Sequence, residues 1–134
     1  MTVGGPSRPK AASLSDQVAA WERIVAQVEA GYAFGLDDWL NDMDLRRRIE
    51  EAIEGIRAVG GPISPSERIP NKQARVHLSL CDKRFRRATV ATDTCTWGTR
   101  VAAREGWRAD RQWWYFRRPR RSNASLDREI ADVR

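Results

Sequence analysis

Residues 89–97 read TVATDTCTW, and this stretch decides the fold class. Its four threonines, with Val90 and Trp97, favour extended backbone, and alternation sets Ala91, Asp93, Cys95 and Trp97 on one side. We read Thr89–Trp97 as a strand ended by Gly98. A second strand is expected at Trp113–Arg118 (WWYFRR), stopped by Pro119. Two strands alone are marginal in water, so helices must cover one face of the ribbon. The expected fold is α+β: a mostly helical single domain with a small two-stranded antiparallel β-ribbon in the C-terminal half.

Working upstream, two patterns compete over residues 71–88. Val76, Leu78 and Leu80 alternate as in a strand, whereas Leu78, Cys81, Phe85 and Ala88 share one face of a helix whose other face carries Lys83, Arg84, Arg86 and Arg87. The length of the stretch favours the helix. Residues 60–70 hold three prolines and two glycines and are expected to form a loop. Before them, Leu45, Ile49, Ala52, Ile53, Ile56 and Val59 make one apolar stripe, out of phase with Trp39, Leu40 and Met43. The slip predicts a short helix followed by a longer one capped by Asp42 or Asp44 and ending at Gly60. Earlier still, Val18, Trp21, Ile24, Val25 and Val28 define a helix capped by Ser13 or Ser15 and closed by Gly31.

Downstream of the first strand, a short helical or irregular piece is expected to run to Gly106. Asn123 or Ser125 then opens a terminal helix bearing Leu126, Ile130 and Val133. Residues 1–13, rich in Gly, Pro and Ser, read as a flexible tail. Residues 14–134 read as one domain made of an acidic helical half (14–59), a loop (60–70) and a basic Trp- and Arg-rich half (71–134).

At 134 residues with 41% hydrophobic residues, the chain can bury an ordinary core. No apolar run approaches the ~20 residues that span a bilayer, and residues 1–12 have Gly and Pro where a secretory leader needs an apolar core, so a cytoplasmic protein is expected. Cys81 and Cys95 are read as buried thiols rather than a disulfide or metal pair. The net charge of +6 conceals an asymmetry. Residues 1–71 hold 8 Lys+Arg and 11 Asp+Glu, net −3, and residues 72–134 hold 16 and 7, net +9. Either the halves face each other or the basic half meets an external polyanion.

Three groups could carry chemistry. Asp37, Asp38, Asp42 and Asp44 resemble the aspartate-rich magnesium motif of some isoprenoid enzymes, which need a second motif and a larger helical cavity. Helix capping is the favoured reading, and no metal or cofactor is expected. His77 and Cys81 stand one helical turn apart, but no Gly-rich turn or helix N-terminus is there to activate the thiol. No phosphate-binding, nucleophile-elbow or zinc-protease motif occurs, and no enzyme is expected.

The third group is basic and aromatic: Arg84, Arg87, Trp107, Arg111, Trp113, Tyr115, Arg117, Arg118, Arg120 and Arg121. On a strand, either Trp113 and Tyr115 or Trp114 and Phe116 would face outward. Trp and Arg are enriched at protein-binding hot spots, so a small accessory or regulatory protein that binds another protein is the expected function. Nucleic-acid binding, with guanidinium groups on phosphates and rings on bases, is the alternative.

Overall fold

The computed structural model describes residues 12–59 and 65–133, so the expected tail lies outside it apart from Ala12 and Ser13. The first helix, α1 (Leu14–Ala30), opens on Ser13, whose side chain accepts the Asp16 N–H at 3.1 Å and so satisfies one free donor of the first turn. It closes at Gly31, whose φ of +112° is costly for any residue with a Cβ. Leu14, Val18, Trp21, Val25 and Val28 form its buried face.

The second helix, α2 (Leu36–Val59), is continuous, which corrects the expected break between a short and a longer helix. Its buried positions are Leu36, Trp39, Met43, Arg46, Ile49 and Ile53. That stripe keeps helical spacing throughout, but an arginine fills its middle, and this produced the slip in the apolar pattern. Asp42 and Asp44 therefore lie inside a helix and cap nothing. Asp38 does the local capping instead, accepting the Gly35 N–H at 3.0 Å.

The third helix, α3 (Pro65–Ala88), bears out the helical reading of 71–88 and overturns the loop expected up to residue 70. Pro65 occupies the first helical position, where a missing N–H costs nothing. Pro70 lies inside the helix, but residues 66–70 are all exposed, so its ring displaces no packing. The rest of that expected loop, 60–64, falls outside the described residues. Ala74, Leu78, Cys81 and Phe85 face inward, and α3 lies mainly against α1, where the Phe85 and Trp21 rings meet at 4.9 Å between centroids.

The antiparallel ribbon is shorter than expected. β1 (Thr89–Ala91) pairs with β2 (Arg117–Pro119) in the register Thr89↔Pro119, Val90↔Arg118 and Ala91↔Arg117. Past Ala91 the chain is irregular, although Cys95, Thr96 and Trp97 are buried. The short helix α4 (Thr99–Glu105) ends at Gly106 in left-handed backbone. Trp113–Phe116, expected as strand, is one turn of 3-10 helix. β-propensity measures fit to a half-buried pleated surface, and these rings do not alternate between two faces. Trp114 and Tyr115 enter the core side by side, and Trp113 packs edge-on against Phe85.

The last helix, α5 (Ala124–Asp132), is capped by Asn123, whose side chain accepts the Leu126 N–H at 2.7 Å. It buries Leu126 and Ile130. The connection into it and α5 itself close over the α1–α2 turn: Tyr32 N–H donates to Arg121 O at 2.8 Å, and Leu36 N–H donates to the Glu129 carboxylate at 3.3 Å. The architecture is thus α+β, mostly helical, with one small ribbon in the C-terminal half.

Candidate functional site

Most of the expected aromatic surface is structural. Trp21, Trp39, Trp114 and Tyr115 are fully buried. Trp107 stacks on Tyr115 with centroids 3.6 Å apart, and Arg86 covers the Trp113 ring at 3.8 Å. Tyr115 donates its hydroxyl to Asp44 and accepts from Arg47 Nε at 3.2 Å. The expectation of an outward Tyr115 is therefore wrong, and Trp107 and Trp113 are only partly accessible.

The arginines divide into two sets. Arg117 is an internal strut: its Nε donates to Thr89 Oγ1 at 2.7 Å and its NH2 to the carbonyls of Arg86 and Thr89 at 3.0 and 3.2 Å. The two NH2 bonds satisfy carbonyls at the junction of α3 and β1. Arg118 pairs with Asp127, and Arg120 Nε donates to Arg87 O at 2.8 Å. Arg84 grips Glu29 of α1 with Nε at 3.1 Å and NH2 at 2.6 Å. Arg87, Arg111 and Arg121 are exposed. Arg84, Arg87, Arg120 and Arg121 line a recess of about 240 Å³ with Glu29 and Ala88, whereas Arg111 lies away from it.

The acidic cluster also divides. Asp42 accepts the Tyr32 hydroxyl at 2.6 Å and Asp44 accepts that of Tyr115, so two of the four aspartates anchor buried phenols. Burial, reinforced by the adjacent carboxylates, holds both phenols far above their ordinary range, hence neutral. The capping reading holds for Asp38 and fails for Asp42 and Asp44.

Sequence reasoning missed the outer face of α3. Ile69, Val76 and Leu80 are 58%, 57% and 56% exposed, and their spacing of seven and four puts them on one stripe opposite the buried face. The stripe is about 16 Å long at the helical rise per residue. Lys72 and Lys83 are exposed along one flank, and Arg87 continues its line. The alternation of Val76, Leu78 and Leu80 was its trace: two positions point outward and one inward.

On the inner side of α3, Glu22 of α1 reaches His77 and Cys81. Its Oε2 lies 2.8 Å from His77 Nε2 and 3.9 Å from Cys81 Sγ. The hydrogen bond from His77 holds the Glu22 carboxyl below its ordinary value, against some desolvation. Burial, helped by the Glu22 charge, pushes the Cys81 thiol up to about 11. This is the reverse of the shift that a nucleophilic thiol needs.

No protein-family model, no curated protein and no solved structure matches this chain. No helix of the described residues is long and apolar enough to cross a membrane.

Proposed function

We propose that this protein is a non-enzymatic accessory module that binds another protein through the outer face of α3. The observation that carries this reading is the stripe Ile69, Val76 and Leu80, three large aliphatic side chains aligned on one face of a helix whose opposite face is in the core. Single exposed aliphatics are ordinary on a surface, but an aligned row flanked by charge has the character of a binding groove's counterpart. Lys72 and Lys83 beside the stripe and Arg87 at its end select the partner's chemistry: an apolar groove or helix face edged with carboxylates. The tryptophans act indirectly, by fixing α3 from below.

The test is a photo-crosslinking residue at position 76, used in lysate of the source cell after nuclease treatment. Crosslinks to a protein whose contact segment is apolar and acidic support the reading, provided that Leu80→Glu abolishes them without altering the fold. Crosslinks to a second copy, or a yield that Leu80→Glu leaves unchanged, overturn it.

One observation favours a second reading. Arg87, Arg120 and Arg121 converge on one recess beside the Glu29-paired Arg84, and guanidinium groups so gathered suit phosphate oxygens. Nucleic acid bound there would be held by its backbone, because Trp107, Trp113 and Tyr115 are occupied by internal contacts. Fluorescence anisotropy with single-stranded RNA, single-stranded DNA and duplex DNA tests this. Steeply salt-dependent binding that Arg87→Ala with Arg121→Ala removes supports it, and no binding at low salt excludes it.

A further inference from the structure

We propose that Glu22, His77 and Cys81 form a zinc(II) site that staples α1 to α3. His77 and Cys81 are separated by one turn of α3 and point the same way, while Glu22 comes from the neighbouring helix α1. Their donor atoms all lie within 4.8 Å of one another. Around a tetrahedral zinc ion with ordinary bond lengths, such donors stand about 3.4–3.6 Å apart. The observed 2.8 Å between Glu22 and His77 and 3.9 Å between Glu22 and Cys81 bracket that range, so for these two pairs sub-ångström movements suffice.

The donor set selects the metal. One sulfur, one imidazole nitrogen and one carboxylate oxygen suit a borderline ion such as zinc, and calcium or magnesium would want oxygen alone. Charge also balances: when the thiol gives its proton to solvent, thiolate and carboxylate together neutralise a divalent ion. A fixed cation, Arg84, has its NH1 3.6 Å from Glu22 Oε2, but its Nε and NH2 are engaged by Glu29. That pair neutralises the arginine and holds it beside the ligand carboxylate. Glu22 and His77 are partly exposed, so water can enter and supply the fourth ligand. The site does not depend on the outer face of α3.

The test uses the full chain, reduced and stripped with a chelator, then titrated with cobalt(II) as a spectroscopic substitute for zinc. A thiolate-to-cobalt charge-transfer band with the visible bands of a four-coordinate ion is expected, abolished by Cys81→Ser, retained in Cys95→Ser and displaced by zinc. Because Cys81 is buried, His77→Ala on the partly exposed rim provides the second variant. It should keep the native circular dichroism and weaken zinc binding by at least about tenfold. Zinc should raise the melting temperature of the wild type and fail to raise that of His77→Ala. Absence of the charge-transfer band in the wild type, its persistence in Cys81→Ser, or undiminished zinc affinity in His77→Ala would overturn the proposal.

Discussion

Arg46 and Asp82 form a two-pronged ion pair that joins α2 to α3, with Nε to Oδ1 at 3.1 Å and NH2 to Oδ2 at 2.9 Å. Arg46 is 4% exposed, lies 4.8 Å over the Trp114 ring, and shares Asp82 with the Trp21 indole, which donates at 3.1 Å. Removing one member of a buried pair strands the other. Arg46→Met and Asp82→Ala should each cost about 3 kcal/mol in urea unfolding. The double variant should lose clearly less than the sum, and strict additivity would show that the pair is not coupled.

Asp42 and Tyr32 set a pH dependence. Burial raises the Asp42 carboxyl above its ordinary 3.8, the Tyr32 hydrogen bond pulls it partly back, and the Asp38 charge pushes it up again. A carboxyl raised on folding stabilises most below its unfolded value, and that contribution is lost as pH rises through the folded value. Asp42→Asn keeps an acceptor for Tyr32 and cannot ionise. The wild type should therefore lose stability relative to Asp42→Asn as pH climbs from below 3.8 to neutrality. A relative gain by the wild type over that interval would contradict this. In Tyr32→Phe the Asp42 carboxyl should titrate higher still, as followed by carbon NMR.

The two sets of arginines predict opposite outcomes. Arg117→Ala removes three bonds that tie β2 to the α3–β1 junction and should cost about 2 kcal/mol by thermal or chemical unfolding. Arg121→Ala should stay within about 0.5 kcal/mol. Equal effects would mean that Arg117 is not a strut.

Glycine substitutions should separate conformation from packing. Gly31 has φ +112° and only an ordinary contact at 3.9 Å from the place a Cβ would take, so Gly31→Ala should cost about 1–3 kcal/mol from backbone alone. Gly55 lies within α2 with nothing within 4 Å of its Cβ direction, and Gly55→Ala should stabilise by about 1 kcal/mol. Melting temperatures that move in the same direction would refute this.

Local signals carried α1, α5 and the helical reading of 71–88, because Ser13, Gly31 and Asn123 act on neighbours in sequence. The same signals failed wherever a distant partner decides. Arg46 breaks the apolar stripe of α2 because its partner, Asp82, is 36 positions away. The WWYF run looks like a strand because ring direction depends on Phe85 and Tyr115's acceptor Asp44, neither nearby in the chain. Arg117 and Arg121 are indistinguishable by type, and only the end of α3 separates their roles. The zinc donor set was half legible: His77 and Cys81 stand out by spacing, but Glu22 lies 55 residues before His77.

The clasp over the α1–α2 turn bears on how the chain is made. Tyr32 N–H, Leu36 N–H and the Trp39 indole find their acceptors at Arg121, Glu129 and Arg117, all far downstream in the sequence. Until residues 117–129 have been synthesised and have emerged, the first two helices lack these acceptors and the lid over their connecting turn. Their native junction therefore waits on contacts 78 and 93 positions apart in sequence, whose loop closure is slow compared with helix formation.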